Sequence, residues 1–151
     1  MNLLKLFSRK REYSTIGLIN RALKAVDSLP SGFRDEEEAN RQLFTSLKSI
    51  VGDSILVQYQ PRYEGSIVGD IRLGNTIIEG KLDLIHKAET DRLVGQVEYC
   101  YDYTPLDIVV LLYGGTLPDI HHRLKCLVYK DRLSIVLLEK PQRRRKYTNL
   151  L

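Results

Sequence analysis

Near the start of the chain, apolar residues recur at helical spacing. Ile16, Ile19, Leu23 and Val26 share one stripe that runs up to Leu29-Pro30. Pro30, Ser31 and Gly32 then break the chain. A second stripe, Ala39, Leu43, Leu47 and Ile50, predicts a helix over about 35–51. Asp35 with Glu38 three residues on reads as a capping box at its start, and Gly52-Asp53 ends it. The period then changes to two. Ile55, Val57 and Tyr59 alternate with Leu56 and Gln58, and Pro61 to Gly65 reads as a loop. Asp70-Ile71-Arg72-Leu73 and Thr76 to Leu82 read as paired strands around a two-residue turn at Gly74-Asn75. A helix follows over about 90–101, with Leu93, Val94, Val97 and Tyr101 inward. Leu106 to Tyr113 is almost wholly apolar, as a strand buried on both faces should be. Pro118-Asp119 starts another helix, with Ile120, Leu124, Leu127 and Val128 on one face, and Leu133 to Leu138 is a last apolar strand. The order α-α-β-β-β-α-β-α-β predicts an α/β fold with one mixed sheet covered on both faces.

A length of 151 residues predicts one domain. Its expected limits are a basic lead-in over 1–13, the domain over 14–140 and a basic tail over 141–151. The chain is 43% hydrophobic and 28% charged, which excludes a disordered or low-complexity class. No run approaches the ~18 apolar residues of a membrane span. The net charge of +4 equals the charge of Arg143, Arg144, Arg145 and Lys146 alone, so the rest of the chain balances to zero. Within that balance the first twelve residues are also basic. Basic ends are compatible with a polyanionic partner. Cys100 and Cys126 match neither a zinc spacing nor a disulfide framework and read as reduced thiols. The opening MNLLKLFSRKRE has too short an apolar run for a signal peptide, so an intracellular protein is expected.

The chemistry concentrates in Gly69 to Ile85. Counting outward from Gly74-Asn75 pairs Leu73 with Thr76, Arg72 with Ile77, Ile71 with Ile78, and Asp70 with Glu79. One face then carries Asp70, Arg72, Ile77, Glu79 and Lys81. The other, with Ile71, Leu73, Thr76, Ile78, Gly80 and Leu82, reads as core. Opposed carboxylates repel and need compensation. A divalent metal supplies it, because Mg²⁺ is commonly held by one or two carboxylates together with substrate phosphates. A lysine beside such a pair can order an attacking water and meet a phosphate oxygen. Standing alone, so short a pattern is most often a solvated face with a Lys–Glu pair.

The context changes that reading. Val68-Gly69-Asp70 followed by Glu79-Gly80-Lys81 resembles the PD-(D/E)xK nuclease superfamily, over roughly residues 35–113. The resemblance implies a restriction-endonuclease-like αβββαβ core, with its mixed sheet flanked by helices. It implies that Asp70 and Glu79 hold Mg²⁺ (or Mn²⁺), with the backbone carbonyl of Gly80 as a further ligand, and that Lys81 orients or deprotonates the attacking water. The family's proline before the aspartate is Gly69 here. Many relatives carry a Gln-x-x-x-Tyr pair on the following helix. Gln96 matches its first member, whereas Tyr99 comes one residue early. The family often adds a glutamate on the first core helix, for which Glu36, Glu37 and Glu38 are candidates. Glu36 is preferred, because it extends the stripe of Ala39, Leu43 and Leu47. All three also fit a plain helix N-terminus.

The expected function is hydrolysis of DNA phosphodiesters by a metal-activated water, with RNA left open as a substrate. Arg143, Arg144, Arg145 and Lys146 are candidate phosphate contacts, or else a solubilising tail. Two alternatives stand beside this: a non-catalytic nucleic-acid-binding or assembly module on the same fold, and a junction resolvase, which would have to be a homodimer. His121-His122 lacks partners at ligand spacing, and Gly114-Gly115 is not followed by the Gly-Lys-Ser/Thr of a phosphate loop.

Overall fold

The computed structural model describes residues 10–27, 35–116 and 131–138. Among these residues the chain forms three helices and a five-stranded mixed sheet. The helices are α1 (Lys10–Asp27), α2 (Glu36–Val51) and α3 (Lys87–Tyr103). The strands are β1 (Val57–Tyr59), β2 (Arg62–Tyr63), β3 (Ser66–Ile67), β4 (Ile71–Leu73), β5 (Thr76–Leu84), β6 (Asp107–Thr116) and β7 (Leu133–Leu138). The main sheet has the order β1-β4-β5-β6-β7, and β2 and β3 form a separate small hairpin. β1, β4 and β5 are antiparallel, and β6 and β7 run parallel to β5. The α/β class and the mixed sheet are as the pattern of the sequence predicts. The helix expected from Pro118, and His121, His122, Cys126 and Arg143 to Lys146, lie outside the described residues.

Both faces of the sheet are buried. Ile71, Leu73, Ile78, Val109, Leu111 and Tyr113 pack with α1 and α2 residues such as Ile16, Ile19, Leu43 and Leu47. Ile77, Ile108, Val110 and Leu112 pack on the opposite side with Leu93, Val97 and Cys100 of α3. β6 alternates between these two cores, which explains why its sequence shows no polar face. The face read from sequence as the site face is therefore not open along its length. Ile77 is fully buried under α3, and the site begins only beyond it.

Local chemistry accounts for the boundaries. Asp35 caps α2, its Oδ1 accepting from the Glu38 N–H at 2.8 Å. Gly74 takes φ +59° at the first turn position, the glycine-first pattern of a type II′ hairpin. The predicted register holds for Leu73↔Thr76, Arg72↔Ile77 and Ile71↔Ile78. The expected loop at Pro61 to Gly65 instead holds β2, which pairs with β3 just beyond it, two residues a side and too short to leave an alternating pattern. α3 starts before the expected Thr90 and buries Thr90, Leu93, Val97 and Cys100. Tyr101, expected inward, is only half-buried. Its hydroxyl donates to Asp131 Oδ1 at 2.5 Å, and the Arg132 guanidinium lies 4.1 Å from its ring centre. Arg132 also donates to the carbonyls of Tyr101 and Thr104, at 2.6 and 2.9 Å, which ties the start of β7 to the end of α3.

Candidate functional site

β5 has nine residues and β4 only three, so their ladder stops at Ile71↔Ile78. Beyond Ile78 the flank of β5 that faced β4 meets no strand among the described residues. Its backbone groups still need partners. Two carboxylates supply them. The Gly80 N–H donates to Asp70 Oδ2 at 2.8 Å, and the Leu82 N–H donates to Glu36 Oε2 at 3.1 Å. The other Glu36 oxygen pairs with Lys81 Nζ at 3.3 Å. The Gly80 carbonyl accepts from Asn40 Nδ2 at 3.4 Å.

The sequence placed Asp70 directly opposite Glu79. The chain instead turns at Gly69, where φ is +76°. The Asp70 N–H donates to the Ile78 carbonyl at 2.9 Å, and the Asp70 side chain crosses to the Gly80 N–H. The two carboxyls still influence each other, Glu79 drawing Asp70 down and Asp70 pushing Glu79 up. Burial is the largest influence on both and raises both. The Gly80 N–H and Lys81 draw Asp70 back down. Glu79, only 4% exposed, is pushed up to about 8 by burial and then by the Asp70 charge, against the pull of Lys81. Both carboxyls are thus held above their ordinary values.

Of the three adjacent glutamates, Glu36 is the one brought to β5. Glu37 pairs with Arg41 at 2.9 Å on the surface, and Glu38 accepts from Gln42 at 3.4 Å along the same helix. Gln96 lines an open cleft of about 550 Å³ together with Asp70 and Glu79, but its side chain is exposed and no contact holds it to either carboxylate. Arg92, Tyr99 and Ile67 line the same cleft.

Against protein-family models, curated proteins and solved structures, the chain finds no match.

Its chemistry therefore rests on its own residues. Sequence reasoning missed Asn40 and Tyr113. Asn40 is 3% exposed, and its Oδ1 is buried with no hydrogen-bond partner among the described residues. A Cβ at Gly80 would collide with that oxygen and come within 2.9 Å of the Tyr113 ring. The middle residue of Glu-Gly-Lys is thus glycine because Asn40 and Tyr113 occupy the space above it. The signal for Asn40 is a polar residue inside the stripe of Ala39, Leu43 and Leu47, on the side that proves buried. Arg92 was missed as well. It is one helical turn before Gln96, so it shares that residue's side of α3.

Among the described residues no group of three or more His, Cys, Asp or Glu side chains could hold a metal ion. The donors that line the cleft are the Asp70 and Glu79 carboxyls, and the Gly80 carbonyl on the same flank of β5 accepts from Asn40 Nδ2. A small all-oxygen set of this kind fits Mg²⁺, which retains several waters and takes substrate phosphate oxygens, rather than a metal that needs a complete protein cage. Cys100 also lines the cleft, but burial raises its thiol, which argues against a thiolate nucleophile. No helix among the described residues is long and apolar enough to cross a membrane.

Proposed function

We propose that this chain is a metal-dependent nuclease that hydrolyses DNA phosphodiester bonds on a restriction-endonuclease-like αβββαβ core. The observation that carries the reading is buried Glu79 beside half-buried Asp70, both lining one cleft, with Lys81 two residues from Glu79. Two carboxyls forced together under burial are unfavourable unless a cation or proton joins them. With the β2–β3 hairpin set aside, α2, the three main-sheet strands β1, β4 and β5, then α3 and β6, follow the order of that core, and the antiparallel-then-parallel sheet supports it.

Asp70 and Glu79 would hold Mg²⁺ or Mn²⁺, and the Gly80 carbonyl, on the same flank of β5 as the Asp70 carboxyl, would be a further ligand. The bound cation would lower the pKa of the attacking water and offset charge on the phosphate. Lys81 orients that water and balances charge as it develops. Glu36 positions Lys81 by holding its ammonium, while its second oxygen is fixed on the Leu82 N–H. Gln96 is auxiliary, reaching the substrate from the α3 wall of the cleft. The basic residues Arg143 to Lys146 add affinity that does not depend on base sequence.

The test is cleavage of labelled duplex, single-stranded and four-way-junction DNA in Mg²⁺, in Mn²⁺ and in EDTA. Metal-dependent cutting is expected. Lys81→Ala should lose cutting by at least ~100-fold, the ordinary weight of a positioned acid–base group, while keeping metal and DNA binding. Asp70→Asn should weaken Mg²⁺ in a calorimetric titration. Wild-type protein that binds Mg²⁺ and DNA without cutting would favour a binding or assembly module, and junction-specific cutting by a dimer would favour a resolvase.

A further inference from the structure

Beside the auxiliary Gln96, the α3 wall of the cleft carries a cation and aromatic rings to which hydrolysis assigns no role. At 3.6 residues per turn, Arg92, Gln96, Tyr99 and Tyr103 stand in one row along α3. Tyr99 lines the cleft, and its ring centre lies 4.6 Å from that of Tyr103, with 31° between the planes. Both rings are open to water, Tyr99 at 45% and Tyr103 at 64% exposed. The pair forms a continuous aromatic surface that begins inside the cleft and leads out of it. Neither ring belongs to the apolar core on either face of the sheet.

A cation, an amide and two accessible aromatic faces in a row are the parts by which proteins hold unpaired nucleotides. Bases stack on the rings, and the cation meets the backbone. The charge around the row favours one strand over two. Asp91, Glu98 and Asp102 are exposed about a quarter turn further round α3. A duplex on this wall would bring the phosphates of its second strand towards those carboxylates. A single strand can lay its bases on the tyrosines and leave that side empty.

We propose that the Arg92–Gln96–Tyr99–Tyr103 row is a stacking platform for unpaired nucleotides, so that the substrate is single-stranded DNA next to the bond that is cut. This rests on the nuclease reading for the identity of the polymer, and the two are tested separately. Binding is measured in Mg²⁺ to a phosphorothioate oligonucleotide, which resists cutting, as a single strand and as a duplex. A 2-aminopurine base in it reports stacking by loss of its emission. Wild type is expected to bind the single strand ~10-fold more tightly than the duplex and to quench the probe. Tyr103→Leu, on an exposed side chain, should weaken single-strand binding ~5-fold or more and abolish the quench, by the usual worth of one stacked base. Tyr103→Phe, which keeps the ring, should retain both.

Equal affinity for the two forms, or a quench that survives in Tyr103→Leu, overturns the platform. So does self-association through this face, seen as a concentration-dependent mass that Tyr103→Leu removes while the probe stays bright. Cutting of unmodified DNA in Mg²⁺ is scored independently. Preferential cutting of duplex, unchanged in Tyr103→Leu, removes the platform and leaves the nuclease. Quenching by a protein that cuts neither form keeps the platform and removes the nuclease.

Discussion

Gly69 stands where the resemblance expects proline, and the backbone gives the reason. Its φ of +76° is closed to proline, whose ring holds φ near −65°, and a Cβ there would collide with Ile77 Cγ2. Gly69→Pro, which installs the residue the resemblance expects, should therefore destabilise the protein by at least ~2 kcal/mol in urea unfolding. Glu79 carries a pH signature. Its carboxyl titrates near 4.5 when unfolded and at about 8 when folded, so between those values the folded chain holds a proton that the unfolded chain has released. That contribution to stability is complete below the lower value and is lost as pH rises through the upper one. In EDTA the melting temperature should fall from pH 5 to 8.5, the loss being on the order of a few kcal/mol. Stabilisation by Mg²⁺ should grow over the same interval, and Glu79→Gln should flatten both trends. Scanning fluorimetry across pH, with and without Mg²⁺, reads this directly. Asp70, Glu79 and Lys81 were legible as neighbours because strand alternation and a two-residue turn fix which side chains share a face. Asn40 was not, because its burial depends on Gly80, forty residues away.

Among the elements, α2 and β5 build the site together. α2 begins at the open flank of β5, which brings Glu36 to Lys81 and Asn40 to Gly80. The cap that fixes this start is Asp35, immediately before Glu36. Asp35→Ala should cost about 1 kcal/mol of stability and also lower kcat by loosening Glu36, whereas Asp35→Asn should retain the cap. Urea unfolding beside steady-state cleavage separates the two effects. Element type was legible wherever a stripe or an alternation ran for several turns or residues, as in α2 and β6. Ends were less so. β5 continues past the expected Leu82 to Leu84, and its ladder with β6 shifts register at Asp83, where φ is +50°. That shift turns Leu84 toward the α3 core, although simple alternation would place it on the α2 side.

For the whole molecule, two cores clamp one sheet, and the cleft opens where β4 has ended and α3 still covers the other face. The layered class could be read from the chain because an apolar strand such as β6 must be covered twice. The depth of the site could not, since alternation gives the face of Glu79 but not how far that face is covered. The basic tail belongs to this scale. Deleting residues 141–151 should flatten the dependence of DNA binding on salt, by about one unit of log–log slope for each phosphate that the tail neutralises. Anisotropy titrations at several salt concentrations measure it.

Beyond Ile78, the flank of β5 that faced β4 meets no strand among the described residues. A row of unpaired strand donors is a template onto which a second chain can add, the usual route from a sheet edge to aggregation. Here carboxyl oxygens of Asp70 and Glu36 occupy the Gly80 and Leu82 donors. The groups assigned to hydrolysis thus also keep neighbouring molecules from docking on the sheet. A variant such as Asp70→Asn or Glu36→Ala that turns sticky at high concentration has lost that guard, and its insolubility would not mean that the fold itself has failed.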